Sequence, residues 1–123
     1  MPNIDKAFVS AGLIFLVLGQ MLGLYIGAAS RNDLLQIHIA LVLPGFVVLT
    51  LYGLLFRNWP ALKSSPLARP IYWSGVIGAL GLILGTSVLA LSDGTIVWPI
   101  AIASVLAIAS SLLMAALFTG KTE

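Results

Sequence analysis

The sequence predicts an all-α integral membrane protein, a bundle of four transmembrane helices forming a single domain over residues 1–123. Three observations predict it. The chain is 60% hydrophobic and 8% charged, with a mean hydropathy of +1.12, whereas soluble domains carry roughly a quarter of their residues as charges. Four apolar stretches, 7–29, 34–56, 70–92 and 95–119, hold no ionisable group except the imidazole of His38 and the phenols of Tyr25, Tyr52 and Tyr72. Each exceeds the ~20 residues that cross a ~30 Å hydrocarbon core as helix, and a helix satisfies its own backbone polar groups, as lipid requires.

The first span is preceded by one lysine, Lys6. It is too long for a secretory leader and lacks a clear small-residue cleavage site, so it reads as a membrane helix. Gly19, Gly23 and Gly27 recur along it at four-residue spacing. The second span holds QIHIALVLPGF, with the only histidine of the chain and, six residues on, Pro44 beside Gly45. Pro44 cannot donate to the carbonyl of Ala40 and its ring crowds that turn, so a kink is expected at Pro44 and Gly45. The connection RNWPALKSSPLARP, with three prolines and two serines, reads as an ordered surface segment. The third span carries Gly75, Gly78, Gly81 and Gly85, and the fourth carries Ala103, Ala107, Ser111 and Ala115 in register. Ser30 to Asp33 and Asp93-Gly94 are tight turns, which makes consecutive helices antiparallel. Small residues let helices approach closely in lipid, where no hydrophobic drive separates helix from solvent. Packing within one chain is the first use of such stripes. Three striped helices offer more surface than one small bundle needs, so self-association is expected as well.

Charge is sorted by side. Lys6, Arg57, Lys63, Arg69 and Lys121 fall at one end of the predicted bundle, and Arg31, Asp33 and Asp93 at the other. The positive-inside rule then puts both termini and the 57–69 loop in the cytoplasm, and the expected setting is the bacterial cytoplasmic membrane. Trp59, Tyr72 and Trp73 sit at the predicted inner interface, Tyr25 and Trp98 near the outer one. The pI of about 9.3 comes from six basic against four acidic residues without a cluster, so the bilayer is a partner and nucleic acid is not. Cysteine is absent, which removes disulfides, thiolate metal sites and cysteine nucleophiles together.

Polar side chains inside the spans gather in the predicted outer half: Gln20, Tyr25, Gln36, His38, Thr86, Ser87 and Ser92. Such groups are costly in lipid and usually face a bundle interior or a wet cavity. An outward-opening ligand pocket lined by Gln20, Tyr25, Gln36 and His38 is therefore expected. Three uses are open to His38: a hydrogen-bonded side chain, a haem or metal ligand, or a proton-handling group. No carboxylate lies within a span and no base stands at a recognisable spacing from a hydroxyl, so no catalytic residue is assigned. One histidine without cysteine or buried carboxylate cannot build a conventional metal site.

The runs GQMLGLYIGAAS, QIHIALVLPGFVVLTLYGLLFRNWPAL and LARPIYWSGVIGALGLILG resemble the small four-helix membrane proteins related to haem-copper oxidase subunit I. Those relatives carry G-M-x-x-G-x-x-M-G, then A-H-x-H-x-N-L-L-G-W with an F-G-L-x-Y-R-x-x-P ending, then L-A-R-x-H-F-W. Aligned on Gly45-Phe46, His38 matches the first histidine of the second helix; Ala40, Val42 and Tyr72 stand at the family's other polar positions. The resemblance implies a fold like one four-helix arc of that subunit. The family histidine that looks most like the haem ligand of the oxidase falls on Ala40, so the resemblance carries the fold and not the haem; haem b stays an alternative cofactor read from the residues, with His38 as axial ligand and Met21 or a neighbouring protomer supplying the second. Three such arcs surround a pseudo-threefold axis in the larger relative, so a homotrimer is the expected assembly.

The leading functional expectation is a non-enzymatic scaffold or small-ligand-binding protein in a respiratory membrane, with a respiratory membrane complex as the partner that the resemblance implies. The alternatives are a haem-b electron carrier using His38 and a pore or transporter along an oligomer axis.

Overall fold

The computed structural model describes residues 2–121, of Lys121 the backbone only, so the side chain counted above among the inner cations lies outside it. Four helices are long and apolar enough to cross a membrane. They are α1 (Ile4–Ala29), α2 (Asn32–Asn58), α3 (Ala68–Leu91) and α4 (Trp98–Lys121). No strand occurs among the described residues.

The breaks follow local chemistry. Ser30 ends α1 in the left-handed region, φ 53°, and Arg31 then forks onto Asp33 at 2.9 and 2.8 Å. After α3, Asp93 and Gly94 both have positive φ, and the Gly94 N–H donates to the Leu89 carbonyl at 2.8 Å, closing the orphan carbonyls of the last turn. The fourth span was expected from residue 95. Its helix starts at Trp98 with Pro99 in the first turn, where a missing N–H costs nothing, and residues 95–97 belong to the turn despite Ile96 and Val97.

α2 is not uniform. It opens as a short 3-10 turn (Asn32–Leu34), continues as α-helix (Leu35–Ala40), widens into a π-helix over Leu41–Val48, and returns to α-helix (Leu49–Asn58). Pro44 lies inside the wide stretch. The disruption expected at Pro44 and Gly45 is thus spread over two turns of expanded backbone, one way a helix absorbs a residue that cannot donate.

Two helix pairs carry the packing. A Cβ added to Gly75, Gly78, Gly81 or Gly85 of α3 would meet Ser110, Ala107, Ala103 and Ile100 of α4 respectively, at 3.1, 3.1, 2.8 and 2.7 Å. The partner numbers fall as the glycine numbers rise, so this is one antiparallel zipper. On the α1–α2 pair, Gly12 faces Thr50, Gly19 faces Val42, and Gly53 faces Val9 and the Asp5 carbonyl. Gly45 of the π-helix takes the ring of Phe15. The Thr50 hydroxyl is buried with no hydrogen-bond partner, pressed onto the Gly12 backbone.

Most stripe positions are therefore used inside the chain. Gly27 is the exception, with nothing within 4 Å. Ala115 is exposed, and Ser110 rather than Ser111 faces Gly75.

The aromatic core lies toward the end bearing Lys6 and Arg57. Phe8 is fully buried, stacked on Phe56 at 5.9 Å and edge-on to Tyr52 and Tyr72 at 5.7 and 5.0 Å. The 57–69 connection is ordered, as its composition predicts. Pro60–Ser64 form a 3-10 turn, Leu62 is fully buried, and Lys63 reaches Asp5 of α1 at 3.1 Å. Trp59, Trp73, Tyr25 and Trp98 are exposed, as interfacial aromatics of a membrane protein are.

Candidate functional site

Most hydroxyls within the spans turn back on their own helix. Thr86 donates to the Leu82 and Ile83 carbonyls, Ser87 to Ile83, and Ser104 to Ile100. Among the described residues, three side-chain hydrogen bonds cross from one spanning helix to another. They define a polar layer between the helices, buried at Ser110 and open at Ser111.

The first ties α2 to α1. His38 Nδ1 lies 2.9 Å from the Gly19 carbonyl oxygen. A carbonyl only accepts, so Nδ1 carries the proton, and in the neutral ring Nε2 keeps its lone pair. The ring rests on Gly23, where a Cβ would lie 3.0 Å from Cε1. Gly19 and Gly23 thus act together, one exposing a carbonyl and the other leaving room for an imidazole.

The other two surround the wide turn of α2. The Tyr52 hydroxyl and Ser111 Oγ are 2.7 Å apart, and the buried Ser110 donates to the Ile71 carbonyl at 3.1 Å. Together with Pro44, Leu49 and Gly75 they line a cavity of about 80 Å³ between α2, α3 and α4. At ~30 Å³ per molecule this has room for two or three waters. Two hydroxyls carry two protons between them, and the Tyr52–Ser111 bond uses one. The other is free to meet whatever occupies the cavity. With a rise of ~1.5 Å per residue, Ser111 is roughly 15 Å from the end of α4, near mid-membrane depth.

The pocket expected from Gln20, Tyr25, Gln36 and His38 does not assemble. Gln20 and Tyr25 are exposed on α1, and Gln36 lines a separate cleft of about 330 Å³ with Thr86, Asp93 and Gly94. The physical reason is helix phase: Gly19 and Gly23 face α2, which turns position 20 outward. Met21 is 63% exposed and shares that outward side. The chain brings His38 to α1 without the companions assigned to it. Tyr52 and Ser110 lie below the outer-half polar set that the sequence predicts, at a depth where a polar layer is not expected. Tyr52 beside Gly53, and the pair Ser110-Ser111 in an otherwise apolar run, are the signals that mark a second polar layer.

A haem would use the Nε2 lone pair of His38, and the Nδ1–H bond to a backbone carbonyl is the outer contact that orients ligating histidines. His38 lines none of the five described cavities. The sequence matches no family model, and neither curated proteins nor solved structures give a match.

Proposed function

We propose that this chain is a non-enzymatic integral membrane protein that holds a small polar ligand inside its bundle, beneath the wide turn of α2. The observation that carries the reading is the cavity in which Tyr52, Ser110 and Ser111 converge beside Pro44. A π-helical stretch is uncommon and recurs at functional sites, and here it forms a wall of the polar cavity. The test is NMR of Tyr52, labelled in its ring, in nanodiscs titrated with methanol, formamide or urea. A saturable shift that disappears in Ser111→Ala supports the reading. A shift that stays linear in solute, or none, refutes it.

The setting in this reading is the bacterial cytoplasmic membrane with both termini inside, supported by the sorting of Lys6, Arg57, Lys63 and Arg69. Kinship with the small relatives of haem-copper oxidase subunit I rests on the order of the three motif runs. Assembly as a homotrimer, or a scaffold role beside a respiratory complex, draws support from the exposed apolar surface around Leu24, Gly27 and Leu91.

One observation favours a second reading, a haem-b protein: the Nδ1–H of His38 is held by Gly19, leaving Nε2 available. Oxidised and dithionite-reduced spectra of protein made with haem supply decide it. A Soret band with reducible α/β bands that vanish in His38→Ala supports that reading, and a featureless spectrum removes it.

A further inference from the structure

We propose that the groove between α1 and α2 at the basic end of the bundle binds one anionic phospholipid, its phosphate between Lys6 and Arg57 and an acyl chain along α1. The groove is the largest described cavity, about 360 Å³, lined by Lys6, Ser10 and Arg57 above Val9 and Leu54, with Asp5 at its edge. The carboxylate of Asp5 does not oppose an anion there, because it is already held by Lys63 at 3.1 Å and is 10% exposed. Lys6 and Arg57 are exposed, and no ion pair ties either to a carboxylate among the described residues. The local balance, with Lys63 counted, is two positive charges.

The groove continues into lipid in the right direction. Leu13, Ile14, Val17 and Leu18 line a further apolar cleft of about 320 Å³ on α1. Positions 6, 9, 10, 13, 14, 17 and 18 recur every three or four residues and so share one face of the helix. From Val9 to Leu18 is roughly 13 Å at ~1.5 Å per residue, close to the ~15 Å depth of one leaflet of a ~30 Å core. The floor is fixed by Gly53, which brings Val9 and the Asp5 carbonyl against α2.

Charge decides between occupants. A second copy inserted the same way would bring its own basic end against Lys6 and Arg57, whereas an anionic headgroup neutralises both. Basic pockets between membrane helices are where such headgroups bind.

The experiment is native mass spectrometry of the detergent-purified full chain with added phosphatidylglycerol or phosphatidylcholine. The wild type is expected to retain the former about 25-fold better, and Lys6→Gln or Arg57→Gln to lower that retention roughly fivefold each, the worth of one cation near an anionic surface. The double variant should lose roughly 25-fold while binding phosphatidylcholine unchanged. Equal retention of the two lipids by the wild type overturns the proposal. So does a double variant that keeps phosphatidylglycerol. Because the chain has no cysteine, Val17→Cys provides a clean third arm: disulfide capture of a second chain in phosphatidylglycerol bilayers would assign this face to another copy and overturn the lipid reading.

Discussion

Gly85→Ala should weaken the fold at one contact whose size can be worked out. The added Cβ would stand 2.7, 2.8 and 2.9 Å from Cα, N and Cβ of Ile100. Carbon atoms in good contact are ~3.5–4.0 Å apart, so α4 must retreat by about 0.8–1.3 Å from the 2.7 Å contact. The obstacle is backbone, and it lies in a first turn stiffened by Pro99, so it cannot rotate away as a side chain does. Retreat also loosens the neighbouring contacts of Gly81 with Ala103 and Gly78 with Ala107. Overpacking typically costs ~1–3 kcal/mol, and the gain in helix propensity from glycine to alanine returns at most ~1 kcal/mol. The net expectation is a loss of up to about 2 kcal/mol, a factor of up to roughly 30 in the folded ratio. Gly27→Ala is the control, since nothing lies within 4 Å of that site, and it should be neutral or slightly stabilising. Steric-trapping or SDS titration in bicelles measures both. If the two variants prove equally stable, the zipper is not what holds α3 to α4.

Tyr52→Phe and Ser111→Ala should each destabilise by about 0.6–1.7 kcal/mol, the range for hydrogen bonds between membrane helices; a double variant no worse than either single one shows that they act as one contact. In ¹⁵N NMR the neutral His38 ring should carry its proton on Nδ1, and Gly23→Ala, which crowds Cε1, should perturb that signal far more than Gly27→Ala does. Asp5→Asn weakens one of the contacts that hold Lys63, so trypsin should cut the 57–69 connection faster. Cleavage in inside-out vesicles and not in right-side-out ones would check the orientation at the same time.

The four spans were legible because lipid imposes a composition and a length that few other environments demand. Their ends were less so. Ile96 and Val97 are as apolar as the helix they precede, and only Gly94 before them and Pro99 after them mark the turn. The glycine stripes were legible as stripes but not as pairs. Nothing at Gly78 announces Ala107, because an antiparallel register is set by the turn at Asp93-Gly94 and shows only in three dimensions. His38 stood out by its chemistry, yet its partner is a main-chain carbonyl, which every residue has and no sequence marks. Tyr52 and Ser111 lie 59 residues apart, and their meeting depends on the wide turn of α2.

The division of glycines between two separate interfaces bears on how the protein is made. Every small residue that seats α1 on α2 is synthesised before α3 begins, and the α3–α4 zipper touches the first half at Gly75, where an added Cβ would also meet Leu49 and Phe8. Each hairpin can therefore enter the membrane and close by itself, with the aromatic contacts of Phe8 to Tyr72 and the Tyr52–Ser111 bond joining the halves afterwards. Biogenesis then becomes a docking of two pieces, and a chain severed within the 57–69 connection keeps the Phe8–Tyr72 and Tyr52–Ser111 contacts through which its halves meet.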